Sequence, residues 1–222
     1  MEKMFSDELV AKIRKAPVIA VLVIDNAEDA VPLAKTLLRG GISIMELTLR
    51  TPAALDAAKR ILSEVPEMVV GIGTILNTDQ VKAAKELGAA FGVAPGLNKT
   101  VVTAAKECKL PFAPGVMTPS EVEAAYALNC TVMKLFPAES AGGVEYLKNI
   151  NAPYAHLGIE YIPLGGLSQN NLESYLECPA VLGVGGSWLA PRKLIQEKAW
   201  DEILKNCEKA SETVIKAKRS RG

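Results

Sequence analysis

A lysine interrupts an apolar run of the chain and is the first candidate for chemistry. Lys134 lies in Thr131-Val-Met-Lys-Leu-Phe-Pro137, a run that predicts a buried strand ending in a loop. Burying an ammonium there is costly, so the amine either reaches the surface along its flexible stem or is kept for a reaction. A neutral lysine amine attacks carbonyl groups to form a Schiff base. The residues around this strand decide between the two explanations.

Three polar side chains alternate along a second predicted strand. In Met45-Glu-Leu-Thr-Leu-Arg50, the period-two alternation puts Glu46, Thr48 and Arg50 on one face and apolar residues on the other. A buried Glu46–Arg50 ion pair that only fixes the strand register is one explanation. Together with Lys134, the same side chains would supply an acid/base, a clamp for an anion and a nucleophile.

The elements that position these residues alternate between short apolar runs and amphipathic stretches, which is typical of parallel βαβ units. The predicted strands cover residues 18–24, 42–49, 68–72, 90–93, 111–113, 131–135, 160–163 and 180–184. The predicted helices cover residues 7–15, 27–38, 52–64, 78–87, 120–128 (opened by Thr118-Pro119) and 200–217.

Eight such units favour an α/β fold of the (β/α)8 (TIM) barrel type, with an extra N-terminal helix at residues 7–15. A doubly wound open sheet is the alternative, but the first predicted turn, Ile24-Asp-Asn-Ala27, lacks its usual glycine-rich fingerprint. In a barrel the outer face of each strand packs under helices, so the polar face with Glu46 must be the interior. The carboxyl ends of the strands then form the catalytic face.

Paired glycines follow the last two predicted strands, in Leu164-Gly-Gly-Leu167 and Gly183-Val-Gly-Gly-Ser187. Barrels commonly bind phosphate at these two loops, through backbone amides and without cations. Either loop alone is a weak signal, because glycine-rich turns are common. The two together predict a phosphate site.

Composition argues against several classes of function. The 222-residue chain has 25 Lys and Arg against 25 Asp and Glu, and its basic residues are scattered among acidic ones, so the charge pattern argues against binding of nucleic acid or an anionic membrane. Its four cysteines are widely spaced and His156 is its single histidine, so neither a zinc site nor a disulfide framework is expected. We expect one domain, residues 1–222, in a reduced cytoplasmic protein that binds a small molecule, with no metal and no membrane span.

The motifs, taken in order, resemble those of a known enzyme family. They are Glu46-Leu-Thr-Leu-Arg50-Thr-Pro, Gly71-Ile-Gly-Thr74, Ala94-Pro-Gly96, Pro114-Gly-Val-Met-Thr-Pro-Ser-Glu121, Lys134-Leu-Phe-Pro-Ala-Glu139, Gly165-Gly166 and Gly183-Val-Gly-Gly-Ser-Trp188. With them the chain resembles the 2-keto-3-deoxy-6-phosphogluconate (KDPG) aldolases, which are grouped with the 4-hydroxy-2-oxoglutarate (KHG) aldolases. The resemblance spans about residues 18–191.

The resemblance implies a class I aldolase, a lyase without metal or cofactor, that cleaves a 2-keto-3-deoxy sugar acid phosphate into pyruvate and glyceraldehyde 3-phosphate. By motif, Lys134 matches the Schiff-base lysine and Glu46 the general acid/base. The substrate-binding residues that it implies are Arg50 and Thr74 for the pyruvate carboxylate, Pro95 and Phe136 as pocket walls, and Gly165, Gly166, Gly186 and Ser187 for phosphate. The family also implies a homotrimer.

Two departures from the family pattern leave alternatives open. Leu164 replaces a common threonine, and Val23 stands where some members have an arginine that helps to bind phosphate. A shorter, unphosphorylated substrate, 4-hydroxy-2-oxoglutarate, is therefore the main alternative. An assembling trimeric barrel scaffold with a remnant active site is another.

Overall fold

The computed structural model describes residues 4–221, which form an α/β fold in which every described strand pairing is parallel. The strands are β1 (Val18–Leu22), β2 (Ile44–Thr48), β3 (Val69–Gly73), β4 (Phe91–Val93), β5 (Phe112–Ala113), β6 (Gly115–Val116), β7 (Val132–Leu135), β8 (Glu160–Pro163) and β9 (Val184–Gly186). Parallel neighbours place all their carboxyl ends at one edge, which is where the polar motifs of the sequence fall.

The strands form two hydrogen-bonded sheets. The first has six strands in the order β5-β4-β3-β2-β1-β9, which is the arrangement of a half-barrel, and the second has the order β6-β7-β8. Only Pro114 separates β5 from β6. On the other side, the Tyr161 amide of β8 donates to the Ala180 carbonyl (2.7 Å), and the Leu182 amide donates to the Tyr161 carbonyl (2.9 Å), just before β9.

Helices follow most strands, and several begin at side-chain caps. They are α1 (Asp7–Lys15), α2 (Ala30–Arg39), α3 (Ala54–Glu64), α4 (Thr78–Leu87), α5 (Lys99–Glu107), α6 (Pro119–Ala127), α7 (Gly143–Asn151), α8 (Leu172–Leu176), α9 (Arg192–Gln196) and α10 (Trp200–Arg221). Ser6 caps α1, Asn77 caps α4, and Thr118 with Glu121 forms a capping box on α6. No helix within residues 4–221 is long and apolar enough to cross a membrane.

The alternation along β2 separates two layers of core. Met45 and Leu47 are fully buried in the cluster that the strands share with the surrounding helices. Ile44 belongs to a second cluster, built from residues of both sheets. Glu46 and Thr48 follow on the same side as Ile44, which places the polar face inside, as the sequence predicts.

Helix α1 covers the end of the strands opposite the polar motifs. Its buried residues Leu9 and Ile13, with Phe5 just before it, belong to the inner cluster of the sheets. The Phe5 and Phe91 ring centroids lie 6.3 Å apart. The amphipathic helix predicted at residues 7–15 therefore closes the apolar interior at the amino end of the strands.

Several predicted boundaries are wrong. The last strand was expected at residues 180–184, but β9 is Val184–Gly186, where Gly185 and Gly186 pair with Ile19 and Ala20 of β1. The fifth strand continues beyond Pro114 as Gly115–Val116. The helix expected at residues 27–38 begins as a 3-10 turn before α2, and the helix expected at 200–217 extends to 221.

Candidate active site

The Lys134 amine and the Glu46 carboxylate face each other across the interior. Lys134 projects from β7 and Glu46 from β2, with 3.5 Å between Nζ and Oε1. Both side chains are almost fully buried, with 7% of Lys134 and 3% of Glu46 exposed. Such a pair survives burial only because each partner offsets the desolvation of the other. The structure thus brings together an amine and a carboxylate whose residues lie 88 positions apart in the sequence.

The surroundings of the amine are otherwise apolar. Val132 precedes Lys134 on the same face of β7, and Ile162 lies opposite it on β8. The Phe136 ring completes this wall, with its centroid 5.0 Å from Nζ. An amine held in apolar company next to one carboxylate is placed to attack a carbonyl carbon.

A missing side chain on β3 makes room for the Glu46 carboxylate. A Cβ atom at Gly73 would lie 2.0 Å from Glu46 Oε1, far closer than any real contact. Gly73 pairs with Thr48 in the parallel register, so its inner face points into the same space. Gly73, the second glycine of the Gly71-Ile-Gly-Thr74 motif, is therefore needed for the position of Glu46.

Arg50 lies exposed at the rim of the same space, beyond the end of β2. Its Nε donates a hydrogen bond to Thr48 Oγ1 (3.0 Å), and Thr48 Oγ1 donates to the Leu22 carbonyl of β1 (2.8 Å). One explanation of the polar residues on β2 is a buried ion pair between Glu46 and Arg50. That explanation is wrong, because the ion-pair partner of Glu46 is Lys134.

Thr74 has an unusual backbone conformation at the end of β3. Its φ is 61°, in the left-handed region that non-glycine residues avoid at a cost on the order of 1–3 kcal/mol. The next amide, of Ile75, donates to the Val93 carbonyl of β4 (3.1 Å), which ties this turn to the strand that leads to Pro95. Such strain is found mainly at binding sites.

The Gly165-Gly166 loop after β8 is anchored to the segment that follows Lys134. Both glycines have positive φ, 93° and 82°, which a glycine adopts without strain. The Glu139 amide donates to the Gly165 carbonyl (3.0 Å), and a Cβ at Gly166 would meet Glu139 Cβ at 2.6 Å. This close packing fixes a loop whose backbone amides can bind an anion.

Tyr175 of α8 holds the Glu139 side chain. Its hydroxyl donates to Glu139 Oε1 at 2.5 Å. Burial and this neighbouring carboxylate raise the pKa of Tyr175 above its usual range, so the phenol keeps its proton. No sequence pattern pointed to Tyr175, or to a role for Glu139 beyond its place in the motif.

One cavity of about 340 Å³ collects all ten predicted site residues: Glu46, Arg50, Thr74, Pro95, Lys134, Phe136, Gly165, Gly166, Gly186 and Ser187. Its remaining lining residues are Val21, Thr48, Leu164, Leu167 and Gly185. The alternation along β1 could have indicated Val21, which pairs with Glu46. Val23 is not among the lining residues.

Within residues 4–221, no group of three or more His, Cys, Asp or Glu side chains is arranged to hold a metal ion. The described residues at this cavity supply an amine, a carboxylate, a guanidinium, hydroxyl groups and backbone amides.

Residues 9–206 of this chain match the model of the family "Aldolase: KDPG and KHG aldolase". A 2-dehydro-3-deoxy-phosphogluconate aldolase from Haemophilus influenzae is 39% identical over 198 residues, which cover 89% of this chain and 92% of that protein. A KHG/KDPG aldolase from Escherichia coli K12 is 41% identical over 196 residues, covering 88% and 91%.

Among solved structures, this chain resembles KDPG aldolase from Legionella pneumophila, in which pyruvate is captured at low pH as a covalent carbinolamine intermediate. The two share 36% of their sequence with a TM-score of 0.85, and the match covers 90% of this chain and 96% of the other.

Proposed function

Since this chain belongs to the KDPG and KHG aldolase family, we propose that it is a class I aldolase that reversibly cleaves 2-keto-3-deoxy-6-phosphogluconate into pyruvate and glyceraldehyde 3-phosphate. The observation that carries the proposal is the Lys134 amine, buried at 3.5 Å from Glu46 in the cavity that also contains the glycine loops. A remnant site on a scaffold would have no reason to keep this costly pair.

In the first step Glu46 takes a proton from the Lys134 ammonium, and the amine then attacks C2 of the keto acid. The carbinolamine that forms loses water to give a protonated imine. Glu46 is the described carboxylate within reach of Lys134 Nζ, and it moves the protons of this dehydration, directly or through one water.

In the second step the imine accepts the electrons of the C3–C4 bond. Glu46 removes the proton of the C4 hydroxyl, the bond breaks, and the electron pair moves through C3 to the iminium nitrogen. The products are an aldehyde and an enamine of pyruvate instead of an unstabilised carbanion. Protonation at C3 and hydrolysis of the imine then release pyruvate and regenerate Lys134.

Arg50 and Thr74 bind the carboxylate of the substrate, and this binding holds C2 next to the amine. Arg50 contributes parallel hydrogen bonds from its guanidinium, and Thr74 contributes its hydroxyl or its amide at the strained turn. Pro95 and Phe136 form the apolar walls that exclude water from the imine.

The other end of the substrate lies against the two glycine loops. Gly165 and Gly166 on one side, with Gly186 and Ser187 on the other, offer backbone amides and a hydroxyl to the phosphate. All four line the same cavity as Lys134, so a phosphorylated keto acid can reach both the amine and the loops.

A KHG aldolase acting mainly on 4-hydroxy-2-oxoglutarate is the second candidate, and Leu164 favours it. The leucine lines the cavity and is 4% exposed. Its side chain is apolar and offers no hydroxyl to the hydroxyl groups of a sugar acid. The ratio of kcat/KM for KDPG and for 4-hydroxy-2-oxoglutarate, measured with a coupled assay for pyruvate, decides between the two. Loss of both activities in Lys134→Arg, with the fold intact, is expected in either case; retained turnover would refute the lysine mechanism.

We also propose that the strands close into a (β/α)8 barrel and that residues 1–222 are one domain, although residues 1–3 and 222 lie outside the described part. The continuation of β5 into β6 and the hydrogen bonds from Tyr161 to the segment before β9 support closure. With β5 and β6 counted as one strand, the six-stranded half-barrel and the three-stranded sheet would then form one wall of eight strands.

The proposed assembly is a homotrimer in the cytoplasm. Leu55 and Leu76 are exposed large apolar side chains of the described residues, at 39% and 54%, and fit a surface covered by another copy. Light scattering should give three times the mass of the 23.6 kDa chain. A monomer, or a much larger particle as the scaffold alternative requires, would contradict this.

A further inference from the structure

We propose that Thr48 is a positioning residue that orients Arg50 for the substrate carboxylate. The inference rests on the proposed function, because it concerns how the same site binds its keto acid. Thr48 is 2% exposed, lines the cavity and forms hydrogen bonds on both sides of its hydroxyl.

The direction of these two hydrogen bonds is fixed by chemistry. The Leu22 carbonyl only accepts and the Arg50 Nε–H only donates, so the single proton of the Thr48 hydroxyl must point to Leu22. A lone pair of the oxygen therefore always faces Arg50. A valine of the same shape would offer neither function.

The hydrogen bonds from Arg50 to Thr48 and from Thr48 to the Leu22 carbonyl are called the relay here. The Leu22 end of the relay is rigid. Leu22 is fully buried, and Leu22↔Leu47 is the last described pair of the β1–β2 ladder. Thr48 continues the connection between the two strands with its side chain, beyond the point where the ladder ends. The oxygen that accepts from Arg50 is thus held by the sheet itself.

Arg50 needs such an anchor because it is exposed and its side chain is long. Its amide also donates to the Thr48 carbonyl (2.8 Å), which turns the chain sharply at the end of β2. Within residues 4–221, the hydrogen bond to Thr48 is the one described for the guanidinium. Since Nε is engaged, the two terminal NH2 groups remain to bind one carboxylate in parallel.

Thr51 provides a matched control for a merely structural effect. Its hydroxyl donates to the Ile24 carbonyl (2.5 Å), so it also links the segment after β2 to the segment after β1. It does not line the cavity, and its described hydrogen bond does not involve Arg50. Thr51→Val removes a similar link and leaves the relay intact.

The first measurement follows the relay without any turnover. Hydrogen exchange of the Arg50 Nε–H is measured by NMR, with the signal assigned by its loss in Arg50→Lys. We expect slow exchange in the native protein, Thr48→Ser and Thr51→Val, and at least about fivefold faster exchange in Thr48→Val, as for loss of one net hydrogen bond. Equal exchange in Thr48→Val and the native protein would overturn the proposal.

The second measurement tests the consequence for binding. Imine formation is trapped with borohydride at increasing pyruvate concentration and, in parallel, at increasing acetone concentration, because acetone has no carboxylate. Thr48→Val should raise the half-saturating pyruvate concentration about fivefold and leave that of acetone unchanged, while Thr48→Ser and Thr51→Val behave like the native protein.

Equal weakening for pyruvate and acetone, or equal effects of Thr48→Val and Thr51→Val, would show a structural role only and overturn the inference. If the native protein trapped no pyruvate, the proposed function would fail instead. The exchange of the Arg50 Nε–H would still show whether Thr48 orients the guanidinium.

Discussion

Because Gly73 has no side chain beyond a hydrogen atom, there is space beside it for the Glu46 carboxylate. A methyl group there would approach Glu46 Oε1 to 2.0 Å, and the nearby backbone of β3 cannot retreat because it pairs with β2 on one side and β4 on the other. The position of the Glu46 carboxylate therefore depends on a residue that has no functional side chain. The strained turn at Thr74 follows directly after it.

Gly73→Ala should displace Glu46 and lower kcat by roughly 10²-fold, the lower range for loss of a general acid/base. Glu46→Gln should give a similar loss without a change in packing. Gly96→Ala is the control, because a Cβ at Gly96 meets nothing within 4 Å and its φ is not positive. Near-native kcat in Gly73→Ala, with the substitution verified, would contradict this role.

Under the proposed function, we expect Leu164 to influence the choice of substrate. It packs against the backbone of β9, since a Cβ at Gly185 would lie 2.8 Å from Leu164 Cγ, and it presents an apolar surface to the cavity. A substrate hydroxyl that faces this surface loses its hydrogen bonds to water without a replacement.

Leu164→Thr should therefore raise the ratio of kcat/KM for KDPG to that for 4-hydroxy-2-oxoglutarate by about fivefold, the value of one hydrogen bond. The coupled pyruvate assay with both substrates measures it. Leu164→Val keeps an apolar surface of reduced size and should not raise the ratio. A rise of similar size in both variants would show that space, and not the hydroxyl, controls the choice.

The carboxyl ends of the strands form the cavity, whereas helix α1 stabilises the fold at the opposite end. Ile13 is fully buried against the inner cluster, and its Cγ2 would lie 2.9 Å from a Cβ at Gly183. This helix is at the opposite end of the strands from Lys134. Stability and activity should separate there.

Ile13→Ala should destabilise the fold by about 2–4 kcal/mol through the cavity it leaves, with little change in kcat. Urea unfolding and steady-state kinetics measure the two effects. Lys12→Ala on the exposed side of α1 removes only an exposed pair with Glu8 and should cost far less. A large loss of kcat in Ile13→Ala under conditions where the variant is fully folded would show that α1 contributes to activity as well as to stability.

Sequence periodicity predicted the elements whose ends carry strong local signals. The bounds of α1 and α4 agree with the predicted residues 7–15 and 78–87, because Ser6 and Asn77 cap them. The bounds of β9 could not be predicted, because Gly185 and Gly186 resemble a loop until β1 pairs with them. Tertiary pairing there overrides local propensity.

The site was predictable as a set of residues but not as a set of contacts. Parallel strands bring their carboxyl ends together, which is why ten residues spread from Glu46 to Ser187 line one cavity. The partner of Glu46 and the link from Arg50 through Thr48 to Leu22 depend on side-chain rotamers. Alternation fixes the face of a side chain but leaves its rotamer undetermined.

An ion pair joins the first and the last βα units of the molecule. Arg192 at the start of α9 donates to both oxygens of Asp25, in the segment after β1, at 2.8 Å and 2.5 Å. Gln196 donates to the same carboxylate at 2.8 Å. The two segments leave neighbouring strands, so the pair holds the seam between the chain's first and last strands.

The hydrogen bond from Arg192 lowers the pKa of Asp25 below its usual 3.8. The stabilisation is therefore present above pH 3.8 and is lost as the pH falls through the lower pKa of the folded state. Asp25→Asn should unfold at lower urea than the native protein near neutral pH, and the difference should vanish well below pH 3.8.

Asp79→Asn is the control for this seam, because Asp79 forms only an exposed 3.8 Å pair with Lys82 inside α4. Asp79 lies in the first turn of α4, so loss of its charge should lower the urea midpoint slightly, and by less than Asp25→Asn does near neutral pH. A constant difference between Asp25→Asn and the native protein over the whole pH range would show that the charge of Asp25 does not stabilise the seam.

Borohydride trapping tests whether the Lys134 amine forms the covalent bond to the substrate. The protein is incubated with pyruvate and borohydride, and its intact mass and peptide map are measured. We predict one pyruvate-derived secondary amine per chain, located on Lys134 and absent from Lys134→Arg. No adduct on folded protein, or an adduct on another lysine, would refute Lys134 as the residue that forms the Schiff base.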